Sequence, residues 1–295
     1  MRSSGDPAMT EPVSPEVLQR YYRIGWERRW LSRLNRDGVP GDAGYKLRLR
    51  RTLDLVRAPG NRPFRVLDAG CGVGIYAVHL LRRFPHATLL GIDLAPLQLA
   101  AAADLAKQFH VSDRAEFHAM DLTSPTLEAD LEGGWDVILI PEVLEHLPQP
   151  APVLRTLRTL LVPGGQMIIS VPQWTPDDPG EPWLYHRVLT GGPHFDNIES
   201  RDRTALPEGD VYTYYHRHYR VKEMEALVSE VGLEVRRRQT VFWQRPAKLT
   251  ARHWKMMDYL LRRTAWGWLD RGLQALGGPE WAHNLLWDCQ VPGRL

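Results

Sequence analysis

The chain has 295 residues, of which 43% are hydrophobic and 24% charged, an ordinary globular composition that can bury a full core and excludes collagen-like, coiled-coil and disordered classes. Its 37 Lys+Arg against 35 Asp+Glu leave a formal net charge of +2, too balanced for whole-surface attraction to nucleic acid. Only Cys71 and Cys289 are present, which excludes a disulfide framework, and no apolar run reaches membrane-span length; with no signal peptide at the start, a cytoplasmic protein is expected. Residues 1–13 read as a flexible tail. Ser14-Pro15-Glu16 offers an N-cap, a proline at the first helical position and an early acid, predicting a helix over 15–35 with Tyr21, Tyr22, Trp26 and Trp30 on one stripe. A second helix is expected near 44–57, where Leu47, Leu49 and Leu53 form a packing face and Arg48, Arg50 and Arg51 a solvated basic one. Together these make a helical cap over 14–59.

From 64 onward short apolar strands alternate with helical segments, the pattern of a parallel sheet covered on both faces. Strands are expected at 64–69, 88–92, 115–119, 135–140 and 166–172, with helices near 74–84, 96–109 and 150–161. Pro163-Gly164-Gly165 reads as a turn into the fifth strand. This is an α/β, Rossmann-like doubly wound fold, whose ligands bind at the carboxyl ends of the strands. Residues 173–215, rich in proline and glycine, are too long for a simple connection and read as a substrate loop or lid. A helix at 221–231 and a strand at 233–243 close a core spanning 60–243. In 244–283 Trp254, Met257, Leu261 and Trp268 recur at helical spacing among Arg252, Lys255, Arg262 and Arg263. That segment suits either a helix packed on the domain or a partner, or an aromatic lid for an apolar acceptor with peripheral membrane contact. Tryptophan is in surplus at 11 copies, and between residues 64 and 172 only Trp135 occurs.

Val66-Leu67-Asp68-Ala69-Gly70-Cys71-Gly72-Val73-Gly74 runs from a strand through a glycine turn into a helix. A dinucleotide fingerprint would space its third glycine one residue later, and Asp68 just before the turn opposes a diphosphate while favouring an ammonium. Asp93 ends the second strand, where a carboxylate accepts both hydroxyls of a ribose, and Asp121 follows the third, with Leu122 beside it to pack on a ring. In that order, with Gly91-Ile92-Asp93-Leu94, Val143-Leu144-Glu145-His146 and Leu161-Val162-Pro163-Gly164-Gly165, the chain resembles class I S-adenosylmethionine-dependent methyltransferases, small-molecule type, over about residues 60–240. The resemblance implies a seven-stranded, mostly parallel sheet whose last strand, around 285–291, is antiparallel, with helical additions at both ends forming a lid. It implies S-adenosylmethionine as cofactor, held by Asp68, Gly70, Cys71 and Gly72 at the methionine part, Asp93 and Leu94 at the ribose and adenine edge, Asp121 and Leu122 at the adenine, and Pro141 at the fourth strand's end. Cys71 is expected to serve as a small residue in the turn, not as a nucleophile.

Chemistry is expected just after the fourth strand, where Glu142, Glu145 and His146 place two carboxylates and an imidazole within five residues. Three readings stay open: Glu142 touches the cofactor while Glu145 and His146 orient the next turn; His146 is a general base; or Glu142, Glu145 and His146 bind a divalent metal, joined by His186, His194 or His216. The spacing E-x-x-E-H resembles the metal-binding segment of some ubiquinone-pathway O-methyltransferases and small-RNA 2′-O-methyltransferases, although a metal is not expected here. His216-Arg217-His218-Tyr219 suits structural packing, with His216 a further catalytic candidate. The function expected is methyl transfer to a small, apolar acceptor, oxygen foremost, by a monomer or homodimer that binds no nucleic acid. The alternatives are a metal-assisted RNA 2′-O-methyltransferase, an NAD-dependent oxidoreductase and a non-catalytic cofactor-binding protein.

Overall fold

The computed structural model describes residues 38, 43–147, 149–173, 183–189, 211–241 and 284–292. Helix α1 spans Ala43–Leu55 and is followed by β1 (Phe64–Ala69), α2 (Ile75–Arg83), β2 (Ala87–Asp93), α3 (Pro96–Gln108) and β3 (Ala115–Ala119). Then come α4 (Leu127–Leu131), β4 (Trp135–Pro141), a 3-10 turn at Leu144–His146, α5 (Pro150–Thr159) and β5 (Leu161–Pro172). The remaining elements are β6 (Trp183–Leu189), β7 (Val211–Arg217), α6 (Val221–Glu230), β8 (Glu234–Val241) and β9 (Asn284–Gln290).

Seven strands form one sheet in the order β3-β2-β1-β4-β5-β9-β8. β1 through β5 pair in parallel and β9 runs antiparallel to both β5 and β8, so the expected antiparallel last strand is present. The sheet is doubly wound because its strands bury both faces: Leu67, Ile138 and Met167 pack under α4, α5 and α6, whereas Val66, Leu139 and Ile168 pack under α1, α2 and α3. Chain order reverses between β1, which leads outward to β2, and β4, its other neighbour. The crevice for a ligand opens at that switch point.

Three expectations change. Residues 173–215 are not simply a loop: β6 lies within them and β7 begins in them, the two pairing antiparallel as a two-stranded sheet, with His216 opposite Leu184 and His186 opposite Tyr214. Pro163-Gly164-Gly165 lies inside β5, which starts at Leu161 opposite Trp135 and slips register before Gln166 reaches Val137; the bulge absorbs the turn. Arg48 is not on a solvated face, its side chain being 16% exposed. The tail, the 15–35 helix, His194 and the 244–283 segment lie outside the described residues. Among those residues no helix is long and apolar enough to cross a membrane.

α1 is seated by hydrogen bonds as well as by Leu49 and Leu53. Gln166, buried in β5, donates to the α1 carbonyl of Leu55 at 3.1 Å and to Asp288 of β9 at 3.0 Å, and its carbonyl accepts from the amide of Arg57 at 2.6 Å. One side chain thus satisfies a helix-end carbonyl and the next free amide, groups that would be costly to bury unpaired.

Candidate active site

β1 ends in a turn whose backbone hangs on β2: the amides of Gly70 and Cys71 both donate to the carbonyl of Ile92, at 2.8 and 2.9 Å. Gly70 has φ +80°, and a Cβ there would lie 2.4 Å from Val143, so the residue must be glycine for the β4 loop to close over the turn. Gly74, with φ +76°, starts α2; a Cβ on it would meet Ala102 of α3 at 2.8 Å.

Asp68 sits in this turn's floor with 0% of its surface exposed, and neither carboxylate oxygen has a hydrogen-bond partner. Burial, with Asp93 adding to it, pushes its pKa up to about 7. An unpartnered buried carboxylate fits a ligand that brings an ammonium and disfavours one that brings a diphosphate. Asp93 faces the same turn: its Oδ2 accepts from the Gly72 amide and its Oδ1 from the Ala95 amide, each at 2.9 Å, leaving lone pairs for ligand hydroxyls. Burial raises its pKa, opposed by these backbone donors. Burial also pushes the Cys71 thiol well up, with Asp68 and Asp93 adding to the effect, so it carries no thiolate character. Asp121 is tied differently, its Oδ1 capping a local turn through the amide and hydroxyl of Thr123 at 2.8 and 2.7 Å. Leu94 is partly buried at the end of β2, and Leu122 packs on the core.

Past β4, Pro141 stays in the ladder opposite Ser170. Glu142 then adopts φ +58°, rare for a residue with a side chain. Its Oε2 accepts from Arg48 Nη1 at 2.7 Å and from Asn284 Nδ2 at 3.0 Å; its Oε1 accepts from Ser170 and from Asn284 at 3.1 Å. Glu145 is 2% exposed with Oε2 unpartnered, and its pKa is driven well upward by burial and by Glu142. His146 is partly exposed, its Nε2 3.8 Å from Glu145 Oε1. The motif 216–219 acts here through Tyr219, whose buried hydroxyl donates to the Leu144 carbonyl at 3.0 Å and so anchors the 3-10 turn. The open metal reading finds no matching donor set: Glu142 is engaged by three donors, and among the described residues no three His, Cys, Asp or Glu side chains converge to hold an ion.

Reading the sequence missed α1's contribution. Arg48 points its guanidinium 4.9 Å above the Tyr45 ring and stands within hydrogen-bonding reach of the Tyr76 hydroxyl of α2. Tyr45 feels the charges of both Arg48 and Asp68. The only sequence signal was an arginine between two leucines of the buried stripe.

A family model described as a methyltransferase domain matches residues 42–237, well over half the chain. A ubiquinone biosynthesis O-methyltransferase of Acinetobacter baumannii (strain AYE) is 29% identical over 199 residues, covering 67% of this chain and 74% of that protein. Among solved structures, magnesium protoporphyrin IX methyltransferase from Synechocystis PCC 6803 with bound S-adenosylmethionine superposes with TM-score 0.55 at 14% identity, covering 96% of this chain and all of that one. The cyclase SpnF superposes with TM-score 0.58 at 17% identity, covering 96% and 98%. Such distant likenesses carry the fold alone. The family match adds the chemistry, and with the turn that fits its cofactor it places this chain in the class I S-adenosylmethionine-dependent methyltransferases.

Proposed function

We propose that the enzyme methylates a hydroxyl of a small, apolar acceptor, with Asp68, Gly70, Cys71, Gly72, Asp93, Leu94 and Pro141 forming the cofactor subsite. The observation that supports the cofactor end is the pair of orphaned oxygens on fully buried Asp68. Asp68 receives the cofactor's ammonium, Asp93 the ribose hydroxyls, and the Arg48 guanidinium the carboxylate. Asp121, with Oδ1 spent on its own turn, offers the adenine only its second oxygen, and Leu122 supplies apolar surface.

When bound, S-adenosylmethionine supplies an electrophilic methyl on a sulfonium. Everything else falls to side chains. His146, at the carboxyl end of the sheet and partly exposed, takes the acceptor's hydroxyl proton on its imidazole. Burial, with Glu142 adding to it, drives the pKa of neighbouring Glu145 well upward, which disfavours a second carboxylate charge beside the imidazole. Glu142 has both oxygens hydrogen-bonded and is not the proton acceptor in this reading. The small apolar acceptor rests on the relatives with ubiquinone-biosynthesis names and on the aromatic-rich segments that precede and follow the core in sequence.

The test is methyl transfer from labelled S-adenosylmethionine to alkyl-substituted phenols, short hydroxy acids and structured RNA offered side by side. Label in a methyl ether of the apolar phenols, lost in His146→Ala, is expected. Label on carbon or nitrogen, or on RNA alone, would overturn the proposal.

A further inference from the structure

We infer that Ser170 and Asn284 are positioning residues for cofactor binding, acting through Glu142 to hold the Arg48 guanidinium at the carboxyl end of β4. The inference rests on the cofactor placement proposed above and adds what fixes it. Three donors reach one carboxylate from three distant stretches of chain: Arg48 from α1, Ser170 from β5 and Asn284 from β9. Ser170 is 0% exposed and Asn284 2%, so neither hydrogen bond is traded with water.

The arrangement is expensive. Glu142 holds a left-handed backbone, a strain that persists only where the surroundings over-determine it. A carboxylate beside an arginine needs no further donors to be paired, yet Asn284 bonds both of its oxygens. Fixing both oxygens fixes where Glu142 receives Nη1 of Arg48, and a planar guanidinium held at Nη1 and stacked on Tyr45 has little freedom left. Glu142 takes only Nη1, one of the guanidinium's three nitrogens, so N–H donors remain for a ligand. The clamp therefore serves the ligand's carboxylate, and it makes β9 part of the cofactor site although no atom of that strand need touch the cofactor.

Calorimetric titration of the full chain separates this from plain structural support, using two probes: S-adenosylhomocysteine, which carries the amino-acid end, and 5′-methylthioadenosine, which lacks it. Ser170→Ala and Asn284→Leu are each expected to weaken S-adenosylhomocysteine about tenfold, as loss of a hydrogen bond to a charged group does. Binding of 5′-methylthioadenosine should stay within about twofold of wild type. In the Arg48→Met background, Asn284→Leu should add nothing, because the two residues act in one chain of contacts. Equal weakening of both probes, or additive effects of Arg48→Met and Asn284→Leu, would overturn the clamp. Should Asn284→Leu fail to fold, Ser170→Ala carries the comparison alone. A wild type that ignores S-adenosylhomocysteine overturns the cofactor placement, and the clamp with it.

Discussion

Asp68 shows how much one residue can say. A carboxyl group at the end of a central strand is legible in sequence as a ligand group, because the doubly wound fold sends ligands there. Its energetics required the structure: full burial, no partner, and a pKa pushed up to about 7 by desolvation and Asp93. For the ligand-free protein the sign follows. The folded value lies above the unfolded one of 3.8, so Asp68's contribution to stability is complete below about pH 4 and is lost as the pH rises through about 7. Thermal melts of the ligand-free chain should fall over that window, less so in Asp68→Asn. Cofactor binding has the opposite sign, since an ammonium needs the ionised carboxylate. S-adenosylhomocysteine should therefore bind more weakly as the pH drops below about 7, approaching tenfold per unit, and Asp68→Asn should flatten that profile. Gly70→Ala would put a methyl 2.4 Å from Val143 at a positive φ, and a denaturant titration should register a loss of about 1–3 kcal/mol. Nothing in the sequence joins Arg48, Glu142, Ser170 and Asn284: they are up to 236 positions apart, and only the sheet order brings them together.

Among the elements, those with a clear period were legible and those without one were not. α2, α3 and α5 and the first five strands follow apolar repeats, and each lies within a few residues of its expected span, β5 aside. β6 and β7 escaped because proline and glycine around them read as loop, while strand pairing depends on the partner rather than on local composition. α1 was legible as a helix but not in how it docks. Gln166 holds its end through three hydrogen bonds, so Gln166→Leu should cost about 1–3 kcal/mol in chemical denaturation. Tyr219 does similar service for the 3-10 turn that carries His146. Tyr219→Phe strands the Leu144 carbonyl and should lose about 1–2 kcal/mol of stability. Methyl transfer should fall in that variant with S-adenosylhomocysteine affinity unchanged, because the turn carries the proposed base and not the cofactor groups.

At the scale of the whole molecule, the strand order β3-β2-β1-β4-β5-β9-β8 follows from alternating β and α segments plus one antiparallel return, and it gathers the ends of β1, β2 and β4 around a single crevice. β9 enters the sheet between β5 and β8 with the Trp-rich 244–283 segment just before it in sequence. Trp287 is buried under the Arg238 guanidinium, 4.8 Å from its ring, so one member of the tryptophan surplus belongs to the core rather than to an acceptor surface. The central claim is that this crevice binds S-adenosylmethionine, with Asp93 on the ribose and with Asp68, a carboxylate that opposes a diphosphate, on the ammonium. Parallel calorimetric titrations with S-adenosylhomocysteine and NAD, on wild type and Asp93→Ala, test it most directly. The account predicts one S-adenosylhomocysteine per chain, weakened at least about tenfold in Asp93→Ala, and no heat from NAD. Saturable NAD binding, or S-adenosylhomocysteine affinity indifferent to Asp93→Ala, would contradict it.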